Sequence, residues 1–273
     1  MARRGAAVAA AAAARLDAPG AAAVAAAAAA APGAPRPGRY SIIVPTYNEA
    51  ENIPLLVSLL HEVCSREGLD YEVVVVDDAS PDGTADVVRA LQAVYGCERL
   101  RLAVRPGKLG LGSAYAHGLS AATGSWVILM DADLSHHPRY IPALVAAAAA
   151  SGADVVAASR YLPGGGVAGW GAGRKLTSRG ANVLARVLLG LTPSDLTGAF
   201  RLYRRPVLEA LLGRCVCRGY AFQMEMMARA AAAGAVVAEV PIVFVDRLYG
   251  TSKLGAHEFT QFLVGLARLM LEL

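Results

Sequence analysis

The sequence predicts an α/β fold with a mainly parallel central sheet flanked by helices, and three observations carry that expectation. From Tyr40 onward, short apolar runs alternate with segments of helical periodicity. The segments between runs are long enough for the crossovers that parallel pairing requires. The most polar stretches, PTYNE, DDASPDGT and DADLSHHP, each follow an apolar run. That places them at the carboxyl ends of strands, where open parallel sheets bind ligands.

The elements follow in order. Tyr40 to Val44 closes at Pro45 and reads as the first strand. Leu55, Leu56, Leu59, Leu60 and Val63 share one helical face, predicting a helix from Glu49 to Cys64. Tyr71 to Val76 is almost wholly β-branched, which fits a strand buried on both faces. Ser80 to Thr84 reads as a turn, Ala85 to Tyr95 as a helix and Leu100 to Val104 as a strand. Gly112 to Ala122 then reads as a helix and Trp126 to Met130 as a strand. Pro142 to Ser151 continues as a helix and Asp154 to Ser159 as a strand.

Residues 1–38 differ in texture. They are alanine-rich and of low complexity, and read as a disordered tail rather than a membrane span, because alanine is only weakly apolar. Arg3, Arg4, Arg15 and Arg36 face Asp17 alone there, so the tail supplies +3 of the chain's net +4. The basic pI is therefore a tail property, and with 6% aromatic residues nothing points to nucleic acid. Cys64, Cys97, Cys215 and Cys217 lack zinc spacing and read as structural thiols. At the other end, Phe259, Phe262, Leu263, Leu266, Leu269, Met270 and Leu273 recur at helical spacing. An amphipathic helix over 256–273 can pack on the core, lie on a membrane surface or meet a partner helix.

Candidate chemistry centres on Asp131 and Asp133. Two carboxylates, two residues apart at a strand end, point into the ligand crevice and repel each other unless a cation lies between them. Hard oxygen donors without nearby Cys favour Mg2+ or Mn2+. His136 and His137 are tempting as ligands, but imidazole suits zinc better than magnesium, so they are expected to fix the loop or to sit in solvent. Gly110-Leu-Gly112 opens a helix after a strand and mimics a dinucleotide fingerprint, but its third position is Tyr115, where a small residue is needed. Six glycines and Trp170 between Pro163 and Gly173 suit either a lid or a plain surface loop.

Taken together, SIIVPTYNEAENI, VVVVDDASPDGT, LGLGSAYAHG, MDADLSHHP and SDLTGAFRLYR resemble the inverting nucleotide-sugar glycosyltransferases of the GT-A type, family 2. The likeness is closest to the catalytic subunits of dolichol-phosphate mannosyltransferases and covers about Tyr40 to Lys253. It implies a GT-A, Rossmann-like domain over 39–255 that moves mannose from GDP-mannose to dolichyl phosphate. The product, dolichyl β-mannosyl phosphate, would supply N-glycan, GPI-anchor and O- or C-mannosylation. Pro45, Tyr47, Glu49, Val76 and Asp78 match nucleoside-holding positions. Asp131, Ala132 and Asp133 match the donor and metal segment, the two aspartates being the catalytic pair. Arg247 and Lys253 match further donor contacts. Arg160, Arg174 and Ser178 match residues that grip the acceptor phosphate, and Arg160 also matches a donor contact.

The acceptor accounts for the lack of a clear general base in the motifs. A phosphate monoester has its second pKa at about 6, so it reaches the site already anionic and needs cations to hold it. Glu225 in FQMEM is the reserve candidate for a base. Dolichol implies work at the cytosolic face of the endoplasmic reticulum membrane, with small membrane-embedded subunits as partners. Rivals are glucosyl transfer from UDP-glucose to the same lipid, a non-catalytic nucleotide-sugar-binding subunit, and a sugar nucleotidyltransferase.

Overall fold

A computed structural model gives the architecture and describes residues 38–217, 220–246 and 256–272. The chain opens with β1 (Tyr40–Thr46), α1 (Ile53–Arg66), β2 (Tyr71–Asp77), α2 (Thr84–Tyr95), β3 (Leu100–Val104), α3 (Leu111–Ala121) and β4 (Trp126–Leu129). A 3-10 turn (Pro138–Tyr140) leads into α4 (Ile141–Ser151), β5 (Val155–Ser159), β6 (Gly166–Ala168) and α5 (Ala172–Leu189). Then come β7 (Arg201–Arg204), α6 (Arg205–Leu212), α7 (Tyr220–Ala232), β8 (Val237–Pro241), β9 (Val243–Val245) and α8 (Ala256–Glu272).

Seven strands form one sheet in the order β3-β2-β1-β4-β7-β5-β8. Pairing is parallel except at β7, which runs antiparallel to β4 and β5. The α/β expectation holds, and so does the double burial of β2, every residue of which is buried. Side chains alternate between the two faces. Ile43, Val74, Val76, Val127 and Leu129 pack with Tyr115 of α3 and Phe222 of α7 on one side. Ile42, Val44, Val73, Val75 and Ile128 pack with Leu56 and Leu60 of α1 on the other. A layer on each face is what near-continuous apolar strands demand.

Three local points differ from or refine the expectation. Helix α1 begins at Ile53, not Glu49, with Pro54 in its first turn, where a missing N–H costs nothing. The residues before it are held outside the helix: Glu49 N–H donates to Thr84 Oγ1 and Ala50 N–H to Asp82 Oδ2, each at 3.0 Å. Gly112 serves packing, not phosphate binding, because a Cβ there would lie 2.6 Å from the Phe222 ring. Gly118 likewise lets α3 press on the sheet, since a Cβ would lie 2.5 Å from Ile43. The glycine-rich stretch contains a short strand: β6 pairs in parallel with β9.

Helix α8 buries Phe262, Leu266 and Leu269 in the core. Arg229 of α7 ties it down, donating to Glu272 Oε2 at 2.8 Å and to Glu225 Oε1 at 2.7 Å. The opposite face leaves Val264, Met270 and Leu271 exposed. The amphipathic helix thus packs on the core with one side and keeps an apolar surface on the other. Among the described residues, no helix is long and apolar enough to cross a membrane.

Candidate active site

The loops after β1, β2 and β4 meet at one sheet edge, and each contains a non-glycine residue with positive φ: Asn48 (59°), Ala79 (54°) and Leu134 (63°). Such backbone costs on the order of 1–3 kcal/mol per residue and persists where the surroundings fix it. Here short polar contacts do so. Asp77 accepts from Thr46 Oγ1 at 3.0 Å, from Ser80 Oγ at 2.6 Å and from Ser80 N–H at 3.0 Å. Ser80 Oγ in turn accepts from Asn48 N–H at 3.0 Å. Asp77 is thus the clasp between the first two loops.

The residues expected to hold a nucleoside lie around this clasp. Pro45 and Val76 are register partners in the β1–β2 ladder, immediately before the loops. Glu49 sits at the turn into α1, where its Oε2 accepts from Asn52 Nδ2 at 2.6 Å. Asp78 is gripped by the fork of Arg105, Nε to Oδ1 at 2.6 Å and Nη2 to Oδ2 at 2.7 Å. Lys108 Nζ lies 3.3 Å from the centroid of the Tyr47 ring, a cation–π contact. Arg105 and Lys108 belong to none of the motifs quoted above. The signal was there: R-P-G-K follows the third strand, so it belongs to the same edge as the other loops.

Asp131 and Asp133 leave the end of β4. Asp133 is buried and accepts from Ser135 N–H at 3.1 Å and Ser135 Oγ at 2.5 Å, while the Asp131 side chain is 41% exposed. Ala132 between them is buried. His136 packs between Phe200 and Phe244, with ring centroids 5.4 and 5.3 Å away, and its Nδ1 accepts from Asp131 N–H at 3.4 Å. Burial, aided by Arg160 and opposed by the Asp133 and Asp195 charges, pushes its pKa down to about 4, so the ring is neutral near pH 7. His137 caps the 3-10 turn through Arg139 N–H at 3.1 Å. Both histidines fix the loop, as expected. Among the described residues no cluster of three or more His, Cys, Asp or Glu could hold a metal by itself. Two carboxylates fit a hard cation that completes its shell with water and phosphate oxygens, and do not fit a closed zinc site.

The second half of the site gathers around Arg160, just after β5. Its guanidinium is buried and forks onto Asp195, Nε to Oδ2 at 2.6 Å and Nη2 to Oδ1 at 2.8 Å, with Thr197 Oγ1 at 2.7 Å. Burial raises the Asp195 pKa, but the Arg160 charge and its hydrogen bonds hold the carboxyl below its usual range. Arg174 stacks over Trp170, Cζ to ring centroid 3.9 Å, and approaches Asp246 at 3.6 Å. Arg160 lies 5.7 Å from the same ring, so Trp170 joins the two arginines. Ser178, one turn on from Arg174, shares a 2.7 Å hydrogen bond with Tyr161 OH. Arg247 and Lys253 lie outside the described residues. Glu225 is not placed to act as a base: it is fully buried and accepts from Val216 N–H, Cys217 N–H and Arg229. Asp195 lies in the SDLTGAFRLYR motif, but its pairing with Arg160 is not legible from sequence.

Comparison with known proteins places this geometry. The sequence model of glycosyl transferase family 2 matches residues 41–212. A polyprenol monophosphomannose synthase of Mycolicibacterium smegmatis is 40% identical over 233 residues, covering 84% of this chain and 86% of its own length. An undecaprenyl-phosphate mannosyltransferase of Micrococcus luteus is 38% identical over 234 residues, covering 84% and 93%. Glucosyl-3-phosphoglycerate synthase of Mycobacterium tuberculosis, crystallised with Mn2+, UDP and phosphoglyceric acid, superposes with a TM-score of 0.63 at 20% identity, covering 90% of this chain and 81% of its own. A mannosyltransferase of Pyrobaculum calidifontis in complex with GDP-Man and Mn2+ gives 0.58 at 23% identity, covering 87% and 66%. At those identities the two structures establish a shared fold.

Proposed function

The chain belongs to glycosyl transferase family 2, and from that premise we propose that it transfers mannose from GDP-mannose to the phosphate of a polyprenol. The observation that carries this is the meeting at one sheet edge of the Asp131–Asp133 pair with the Tyr47–Asp78 loops, in a chain so similar to a polyprenol monophosphomannose synthase. Dolichyl phosphate is the acceptor implied by the motif resemblance. The two bacterial relatives are named for polyprenol and undecaprenyl phosphate, so polyprenyl phosphate is the class proposed.

The residues divide the work. Pro45, Tyr47, Glu49, Val76 and Asp78 would bind the nucleoside, with Arg105 holding the Asp78 carboxylate in place through two hydrogen bonds. Asp131 and Asp133 would hold Mg2+ or Mn2+, which when bound neutralises charge on the departing diphosphate. Arg160, Arg174 and Ser178 would hold the acceptor phosphate. An acceptor oxygen bonds to the anomeric carbon as the bond to the diphosphate breaks, and GDP leaves with the electron pair. Attack from the opposite face inverts the configuration. The acceptor dianion brings its own nucleophile, so the internal engagement of Glu225 is no obstacle.

The lipid acceptor calls for a membrane surface, and two helices support that part of the proposal. Leu176, Val183 and Val187 of α5 are exposed, as are Val264, Met270 and Leu271 of α8, and Lys175 and Arg179 are exposed on α5. An apolar face with basic neighbours suits an anionic lipid surface. A site at the cytosolic face of the endoplasmic reticulum, with small membrane-embedded subunits, belongs to the dolichol version of this proposal.

The test uses the purified full chain with radiolabelled GDP-mannose or UDP-glucose, and dolichyl or undecaprenyl phosphate. Label should enter the lipid phase from GDP-mannose alone and stop on addition of EDTA. Preferential labelling from UDP-glucose, or release of inorganic diphosphate, would overturn the proposal.

A further inference from the structure

Trp170 is one of two tryptophans in the chain, and it is 8% exposed. Among the described residues its indole Nε1 is buried with no hydrogen-bond partner, although a buried N–H nearly always has one. The ring is not there by accident of a loose loop. The β6–β9 pairing delivers it to Phe244, whose ring centroid is 5.4 Å away at an edge-on angle of 65°. Gly169 just before it has φ +85°, and a Cβ there would lie 2.9 Å from Asp246. Arg174 stacks on its face, and the Arg174 Nε is also buried without a partner.

The neighbourhood is therefore rich in donors. The nearby carboxylates already have cations: Asp195 lies in the Arg160 fork, and Asp246 lies 3.6 Å from Arg174. What would complete the cluster is an acceptor with several oxygens and negative charge. A phosphate monoester has three acceptor oxygens, and in transfer only one is consumed as the nucleophile. We propose that Trp170 Nε1–H donates a hydrogen bond to a non-attacking oxygen of the acceptor phosphate, alongside Arg160 and Arg174. This rests on the transfer proposed above and adds a residue to its acceptor side. Tryptophan suits the role because it is a donor with no acceptor capacity of its own. It therefore attracts a phosphoryl oxygen and cannot compete for the arginines' protons.

The test is Trp170→Phe, which keeps an aromatic face under Arg174 and removes the N–H. The KM for polyprenyl phosphate should rise about tenfold, the scale of a lost hydrogen bond to a charged group, with the KM for GDP-mannose unchanged. An unchanged acceptor KM, or a change confined to the donor, overturns the proposal. A second measurement does not depend on that variant folding or on turnover. In Trp126→Phe, Trp170 is the remaining tryptophan, and its emission is read by excitation at the red edge, where tyrosine does not absorb. Farnesyl phosphate should shift its emission and farnesol should not; equal responses, or none, overturn the proposal. If the unaltered chain makes no mannolipid while farnesyl phosphate still shifts Trp170 emission, the transfer reading has failed and the phosphate contact stands.

Discussion

The two halves of the site are built differently. On the β1–β4 side near neighbours help hold the carboxylates, Asp133 by Ser135 two residues on and Asp77 by Ser80 three residues on, beside the longer bonds from Thr46 to Asp77 and from Arg105 to Asp78. On the β5–β8 side the chain closes over distance. Arg160 meets Asp195 35 residues later, and Trp170 meets Phe244 only because β6 pairs with β9. The first half lies within the contiguous run from β1 to β4. The second exists once the whole domain has closed. Substitutions in the first should therefore cost turnover and little stability, and those in the second should cost both.

The largest effect is expected at Asp133. Asp133→Asn keeps a carbonyl oxygen to accept from Ser135 but removes the charge a cation needs. Turnover should fall about a thousandfold, since a metal contributes several kcal/mol of charge stabilisation. The unfolding midpoint should stay within about 2 °C, because exposed or re-satisfied changes cost roughly 0.5 kcal/mol or less. A large loss of stability would break the contrast, and near-normal rates in excess EDTA would remove the metal from the mechanism.

That contrast also explains what could be read in the sequence. Asp131, Asp133, Asp77 and Asp78 announce themselves because the strand, the turn and the carboxylate are contiguous. The β-α alternation from Tyr40 to Ser159 was legible for the same reason: periodicity is a local signal. The start of α1 was misplaced because the side chains of Asp82 and Thr84, far along the chain, capture the N–H groups of Glu49 and Ala50. The Arg105 fork on Asp78 and the Arg160 fork on Asp195 were invisible, since pairing across strands depends on sheet order. The antiparallel β7, inserted between β4 and β5, sets that order around Arg160. No periodicity of four residues, Arg201–Arg204, could have shown its direction.

Asp195→Ala is the sharpest test of the second half. It removes the carboxylate that the buried Arg160 guanidinium forks onto, which costs about 3–5 kcal/mol, or roughly 10 °C in unfolding midpoint for a domain of this size. The pH dependence has a definite sign. The folded-state pKa of Asp195 is held below its ordinary 3.8, so its contribution is full above that value and is lost as pH falls through the lower folded one. The gap between the native chain and the variant should therefore be wide at pH 7 and narrow below about pH 4. A gap that grows in acid would contradict the pairing.

Arg105→Met tests the proposed donor side at a middle scale. Asp78 keeps some access to water, with 14% of its side chain exposed, so it tolerates loss of the fork better than Asp195 would. The KM for GDP-mannose should rise about tenfold, matching one charge-assisted hydrogen-bonded pair, while the acceptor KM holds. Calorimetric titration with GDP alone gives the same number without turnover. If Arg105→Met destabilises the protein as much as Asp195→Ala, the two halves do not differ in the way their contacts indicate.

The smallest effect should come from the exposed helix faces, where neither half of the site is touched. Val187 is 73% exposed on α5 and Leu271 is 84% exposed on α8, so neither contributes much to the core. Val187→Ser and Leu271→Ser should each change stability by about 0.5 kcal/mol or less. Against a lipid surface the same side chains would matter, because each apolar group withdrawn from water contributes on the order of 1 kcal/mol. Sedimentation with phosphatidylglycerol vesicles should then weaken about threefold to tenfold per substitution, while transfer to a short, water-soluble prenyl phosphate stays unchanged. Equal sedimentation by the native chain and the double variant would mean that these faces do not meet lipid, and would leave the basic residues of α5 to account for any binding.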